Sequence, residues 1–272
     1  MQREAQKMIR QNLHCHTTYD DGRDAPHTMV LAAYKAGLSS IGISLHCPLV
    51  GEESWTCSGG DEALFIEEMH SLRAIYAGRI EVWCGLEYDV DAQRRSVPPY
   101  DYIIGACHML DGMPIDYDPE TASHLIAWHG GAVKAAQAYY DRMAGLAAMP
   151  EVSIVGHFDL ITKFNEREAL YDTAAVPYRD AAYAAMEKLS AAGKIFEINT
   201  GAISRGWRTA PYPSEELLRH LNSIGGRILV SSDAHSADSI TCAFDQAEAL
   251  AKACGFTELW QFNGSGFEPE SI

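Results

Sequence analysis

The sequence predicts a single-domain α/β fold, and three observations predict it. Short apolar, β-branched runs alternate with helix-period segments along the chain, which argues parallel strands joined by right-handed crossovers. About seven such units follow one another, and that number favours closure into a barrel over an open sheet. The 272 residues, 47% of them hydrophobic, suffice for one large core. No repeat, low-complexity tract or linker marks a boundary, so residues 1–272 are expected to form one unit.

The opening strand carries Gln11 to His16. In an extended strand residues i and i+2 share a face, so His14 and His16 project together while Cys15 points away. Asp20-Asp21-Gly22 reads as a turn just beyond the strand's carboxyl end. Helical spacing of Met29, Val30, Ala33 and Leu38, with Pro26 near the start and Gly37 near the end, predicts a helix over 26–38. A buried strand over 39–45 then delivers His46. The stretch 47–60, rich in Gly, Ser and Glu, is longer than a connection needs and is expected to cover the site.

A helix over 61–76 and a strand over 79–86 lead to Glu87, and a strand over 101–107 ends on His108. Residues 109–119, with turn chemistry at Asp111-Gly112, are expected to form a loop or hairpin over the top. Helices are expected over 120–129 and 133–148, then a strand over 152–156 ending on His157 and a loop over 158–176. A helix over 177–192, opened by Pro177, precedes a strand over 194–198 and a loop over 199–213. Ser214, followed by Glu215 and Glu216, opens a helix over 214–224. The strand over 227–230 runs into Ser231-Ser232-Asp233-Ala234-His235, and a helix over 239–254 and a strand-like 258–262 close the chain.

Composition narrows the function. A formal net charge of -16 disfavours a protein that grips a nucleic-acid backbone. An anionic small molecule stays possible, because bound divalent cations would reverse the sign of a site. No apolar h-region precedes the first strand and no long apolar run follows, which reads as a cytoplasmic protein without membrane association. Seven cysteines, an odd number without Cys-x-x-Cys pairs, read as reduced thiols. Cys15, Cys47 and Cys107 are expected on the buried, helix-packed face.

Successive predicted strands end on His14/His16, His46, Glu87, His108, His157 and Asp233/His235, all at one end of the fold. In α/β barrels chemistry sits at that end. The other histidines, His27, His70, His124, His129 and His220, fall on helices or loops and read as structural or solvated. Imidazoles suit zinc, iron and manganese, and carboxylates can bridge ions. More than four ligands implies more than one ion. Two ions about 3.5–4 Å apart suit hydrolytic displacement at phosphorus.

The segments HCHTTYDDG, IGISLH, VWCGLE, GACH, VGHFD and SSDAH together resemble the PHP (polymerase and histidinol phosphatase) family of metallohydrolases. The resemblance spans essentially the whole chain. Glu197-Ile198-Asn199-Thr200-Gly201 through Arg205, with Pro211-Tyr212-Pro213-Ser214, is similar to the histidinol-phosphatase branch. It implies a distorted, TIM-like (β/α)7 barrel with two or three divalent ions, zinc, manganese or iron. One ion would be held by His14, His16, Glu87 and Asp233, a second by Glu87, His108 and His157, a third by Asp21, His46 and His235. Some relatives have a histidine where this chain has Gly22, which leaves Asp20 or Asp21 as the ligand there, Asp21 fitting better.

The implied activity is hydrolysis of a phosphate monoester, L-histidinol phosphate foremost, with another small phosphoester or a nucleotide as the alternative. Glu87, Asp233 and His235 are the expected catalytic residues, acting with water activated between the ions. Arg205, a loop arginine after the sixth strand, suits bidentate phosphate binding better than a surface ion pair. Arg208 is the alternative, and Tyr212 reads as a packed loop aromatic. An amidohydrolase reading is disfavoured by Glu87, by the Asp-x-His close and by the lack of a strand-terminal lysine. A non-enzymatic scaffold would have lost ligands. No general acid can be read from the sequence.

Overall fold

The computed structural model describes residues 9–49, 54–57, 60–92 and 99–272. Its strands are β1 (Gln11–Asn12), β2 (Ser40–His46), β3 (Glu81–Asp89), β4 (Tyr102–Ala106), β5 (Met109–Leu110), β6 (Met113–Pro114), β7 (Ile154–Val155), β8 (Ile195–Asn199), β9 (Arg227–Ser231), β10 (Glu258–Phe262) and β11 (Phe267–Ser271). Seven form one parallel sheet in the order β1-β2-β3-β4-β7-β8-β9. The sheet curls until its edges meet. Cys15 bridges Ala234 in parallel, and the His16 N–H donates to the Ala234 carbonyl at 2.8 Å. The result is a nearly closed seven-stranded barrel, as the alternation of elements predicts.

Strand pleating divides the side chains into two cores. Ile41, Ile43, Leu45, Val82, Cys84, Leu86, Phe196, Ile198, Ile228 and Val230 pack outward under the helices. Tyr102, Ile104, Ile154, Ile195 and Leu229 fill the barrel's interior with Leu13 and Phe262. Cys15, Cys47 and Cys107 lie in the outer core, as their positions predict, and none of the seven cysteines is in a disulfide.

The outer layer includes α1 (Pro26–Lys35), α2 (Glu62–Tyr76), α3 (Pro119–Trp128), α4 (Ala132–Ala144), α5 (Asn165–Glu168), α6 (Val176–Ala191), α7 (Gly201–Ser204), α8 (Glu215–Ser223) and α9 (Phe244–Ala253). Proline occupies the first turn of α1, α3 and α6, where a missing N–H costs nothing. The two expected loops are partly helical: α5 interrupts 158–176 and α7 follows β8. At α8, Ser214 makes no side-chain cap. Its N–H donates instead to Asp159 Oδ2 at 3.1 Å. No helix among the described residues is long and apolar enough to cross a membrane.

Two hairpins finish the ends of the barrel. β5 and β6 join through Asp111 and Gly112, both at positive φ (52° and 78°), the backbone a tight primed turn requires. At the opposite end β10 pairs with β11, a strand absent from the sequence expectation. Phe262 exchanges hydrogen bonds with the Gln11 side chain, at 2.8 and 2.9 Å, and so stops the barrel's amino end.

Tyr102 spans the interior and donates to the Leu13 carbonyl. Gly42 and Gly85 face its ring, and a Cβ at either position would overlap ring atoms. Gly42→Ala or Gly85→Ala is therefore expected to cost about 1–3 kcal/mol and lower Tm by several degrees in a thermal melt. An unchanged Tm would mean that the ring has room to move.

Candidate metal centre

The carboxyl ends of the strands bring the expected donors together. On β3 the inward side chains run Trp83, Gly85, Glu87, Asp89, two residues apart, and parallel register sets His46 beside Glu87. His157 departs from simple alternation, which would group it with outward Val155. Its backbone turns to positive φ (20°), and its N–H donates to Glu197 Oε2 at 3.0 Å. Asp233 also sits at positive φ (48°), just past β9.

Glu87, 1% exposed, is the hub. Its Oε1 lies 2.9 Å from His157 Nε2 and 3.4 Å from His108 Nε2. Its Oε2 lies 3.1 Å from His14 Nε2, 3.3 Å from His16 Nε2 and 3.0 Å from His46 Nδ1. Asp233 Oδ1 stands 3.4 Å from His16 Nε2 and 3.8 Å from His14 Nε2. Asp21 reaches His235 Nε2 at 3.1 Å and His46 Nε2 at 3.7 Å.

Among the described residues four donor groups result, each compact enough for one ion: His14, His16 and Asp233; His14, Glu87 and His157; His46, Glu87 and His108; and His16, Asp21, His46 and His235. Overlap through His14, His16, His46 and Glu87 means that the ions would share ligands. The grouping keeps Asp21 with His46 and His235. Asp20 is not a member of the group and supports it from behind, its Oδ2 2.9 Å from His16 Nδ1 and accepting from the His46 N–H at 3.0 Å.

Do these residues fit divalent ions? His14 Nε2, His16 Nε2 and Glu87 Oε2 are buried without a hydrogen-bond partner, an arrangement that is costly unless a cation takes the lone pairs. On the far side of each ring a carboxylate fixes the imidazole: Glu197 at 2.7 Å from His14 Nδ1, Asp20 on His16, and Asp89 at 3.2 Å from His108 Nδ1. A carboxylate behind the ring is how metal-binding histidines are held in tautomer and direction. The donor set fits.

The orienting role of these carboxylates escaped the sequence reading, which names Asp20 only as an alternative ligand and Glu197 only within a motif. Asp89 was within reach of it, since it lies two residues past Glu87 on the same face. Glu197 has the same parity on β8 but needs the barrel to meet His14, 183 residues away in sequence.

Electrostatics agree with the chemistry. Burial opposes ionisation of Glu87 and Asp233, yet the imidazoles around Glu87, and Arg205 then His14 beside Asp233, hold both well below the usual carboxylate range. Burial drives His46 down to about 4. It also opposes charge on His108, but Glu87 and Asp89 outweigh it and hold that imidazole up at about 9.

A cavity of about 510 Å³ opens over the ring. Trp55, from the segment expected to cover the site, forms part of its wall, with ring centroids 5.0 Å from His46 and 5.4 Å from His108. Residues 50–53 and 58–59 of that segment lie outside the described residues. Arg205 lines the cavity and donates through Nη2 to Asp233 Oδ2 at 2.9 Å. Arg208 does not line it. Its guanidinium stacks on the buried Tyr212 ring at 4.4 Å and donates to Thr162 at 2.6 Å. Lys163, unremarked in the sequence, is the cavity's other cation among the described residues.

A parallel β/α barrel with this ring of imidazoles and carboxylates is the architecture of a metal-dependent hydrolase. The PHP domain family matches residues 12–201, and the chain belongs to that family. It is 27% identical over 210 residues to the Schizosaccharomyces pombe protein named "Probable histidinol-phosphatase", covering 72% of this chain and 67% of that one. A Deinococcus radiodurans protein of the same name is 26% identical over 82% of this chain and 84% of its own. Among solved structures, the Lactococcus lactis histidinol phosphate phosphatase complexed with zinc, L-histidinol and phosphate aligns with a TM-score of 0.79. That alignment covers 96% of this chain and 100% of that one at 20% identity, a likeness of fold.

Proposed function

We propose that this protein hydrolyses L-histidinol phosphate to L-histidinol and phosphate, a step of histidine biosynthesis, in the cytoplasm. The observation that carries the reading is the convergence of five imidazoles on Glu87, with Asp233 and Arg205 beside them, at one cavity, in a family to which relatives that bear the histidinol-phosphatase name are similar. Zinc, manganese or iron, at two or three positions, suits the donors His14, His16, Asp21, His46, Glu87, His108, His157, Asp233 and His235. Ions held there supply positive charge that acidifies water and neutralises a phosphate.

The residues do the rest. Glu197, Asp20 and Asp89 keep His14, His16 and His108 aimed inward. Asp233 anchors the Arg205 guanidinium at the cavity's edge, where its remaining donor capacity can meet phosphate oxygens and stabilise charge as it shifts in the displacement. Trp55, Met109, Pro114 and Leu160 narrow the space above the ring and limit bulk water.

The test is phosphate release from L-histidinol phosphate beside sugar phosphates, a nucleotide and a phosphodiester, with manganese- or zinc-loaded protein. L-Histidinol phosphate is expected to stand far above the panel. A nucleotide or diester ahead of it would refute the substrate and favour the other small-phosphoester reading. Arg205→Ala is expected to lower kcat/KM by roughly 10²-fold, and Arg205→Lys to recover only part of it, because a point charge does not replace a fork anchored on Asp233.

A further inference from the structure

The donor ring accounts for the phosphate end of a substrate and leaves the remainder of the cavity unassigned. Among the described residues four carboxylates line the cavity: Asp21, Glu87, Asp233 and Asp116. The first three belong to the metal-donor groups, and Asp116 belongs to none of them. It lies between β6 and α3 with its side chain 23% exposed. Lys163 Nζ donates to its Oδ2 at 2.9 Å and to its own carbonyl at 2.7 Å. This double tether fixes the carboxylate's direction. Oδ1 receives no hydrogen bond among the described residues.

We propose that Asp116 sets substrate specificity, its free carboxylate oxygen accepting a hydrogen bond from the ammonium group of an amino-alcohol phosphate. The inference rests on the phosphomonoesterase reading above and names what that site selects. In L-histidinol phosphate the ammonium stands on the carbon next to the ester-bearing one, so its acceptor must border the phosphate site. Asp116 does: it lines the same cavity as His108, His157 and Arg205. Burial works against its ionisation, but Lys163 and then His108 keep it charged, near 2. Around it Trp55, Met109, Pro114, Tyr117 and Leu160 offer aromatic and apolar wall for the body of such a substrate. A charged acceptor in such a place favours the substrate that carries the cation, while one that lacks it leaves Asp116 Oδ1 without a protein or substrate donor.

The experiment compares L-histidinol phosphate with its desamino analogue, imidazolylpropyl phosphate, on the manganese-loaded protein. The wild type is expected to prefer the amino substrate by about 10- to 100-fold in kcat/KM. Asp116→Asn is expected to collapse that ratio toward unity, chiefly through KM of the amino substrate, and Asp116→Glu to restore part of it. An equal loss on both substrates would overturn the proposal, since it would show that Asp116 only tethers Lys163; an unchanged ratio would overturn it too. Calorimetric titration with L-histidinol separates this inference from the one beneath it. If neither phosphate is hydrolysed yet L-histidinol binding weakens at least about 10-fold in Asp116→Asn, the phosphatase reading fails while the ammonium site stands. Binding indifferent to Asp116 removes the site.

Discussion

Glu87→Gln lowers kcat/KM for L-histidinol phosphate by roughly 10³-fold or more, the largest single-residue effect expected in this protein. The substitution keeps volume and shape, so the buried side chain, 1% exposed, still fills its place. What changes is charge and lone pairs. Five imidazole nitrogens stand within 3.4 Å of the two oxygens, two at Oε1 and three at Oε2, and an amide NH₂ on either side would present protons where a cation is to bind. Two donor groups lose their shared carboxylate at once. Metal content by elemental analysis should fall together with turnover. A variant that keeps its full metal complement and more than about a tenth of the wild-type rate would show that Glu87 is no bridging ligand.

Removing the metals with a chelator is expected to lower Tm by about 10 °C or more, and adding manganese or zinc back to restore it. Ligand at about a thousand times Kd stabilises the folded state by about 4 kcal/mol per site, and each kcal/mol shifts a chain of this size by about 2–4 °C. The metal-free protein carries its own pH signature. His108, held up at about 9, stabilises the metal-free fold fully below its unfolded value near 6.5. That contribution is lost as pH rises through about 9. His14 and His16 are raised in the same direction, whereas His46, pushed down to about 4, is neutral in the fold throughout this window and in the unfolded chain over most of it, so it opposes the trend only near its lower edge. Tm of the stripped protein should therefore fall between pH 6.5 and 9, and metal uptake near neutrality should release protons, read in weak buffer with an indicator dye. A chelator-treated protein with unaltered Tm would contradict ion binding at this ring.

Much of this site lies open in the sequence because the barrel repeats one physical rule. A parallel strand buried between helices and interior reads as an apolar run, and the residue just past its end faces the functional rim. His108 lies just beyond β4, whereas His46 closes β2 and Glu87 lies within β3, whose pairing runs on to Asp89. His157 is reached through a left-handed backbone that the run Val152 to Gly156 does not announce. The β10–β11 stopper was half visible: Glu258 to Phe262 reads as a strand, while the polar Phe267 to Ser271 gains its pairing only beside β10. Arg205 and Arg208, three residues apart, look alike on paper. Only one of them faces the cavity, because Arg208 finds the Tyr212 ring and Thr162 first.

The sequence by itself determined the alternation of strands and helices, the ring of donors at strand ends and the family resemblance, since each depends on residues close along the chain. Tertiary structure decided which groups stand behind the donors and across from them. Glu197 orients His14 from 183 residues away, and Lys163 fixes Asp116 from 47 residues away. Such pairs are set by barrel closure and loop packing, where separation in sequence carries no information about distance. Local periodicity places a side chain on a face; only the closed sheet says what it meets there.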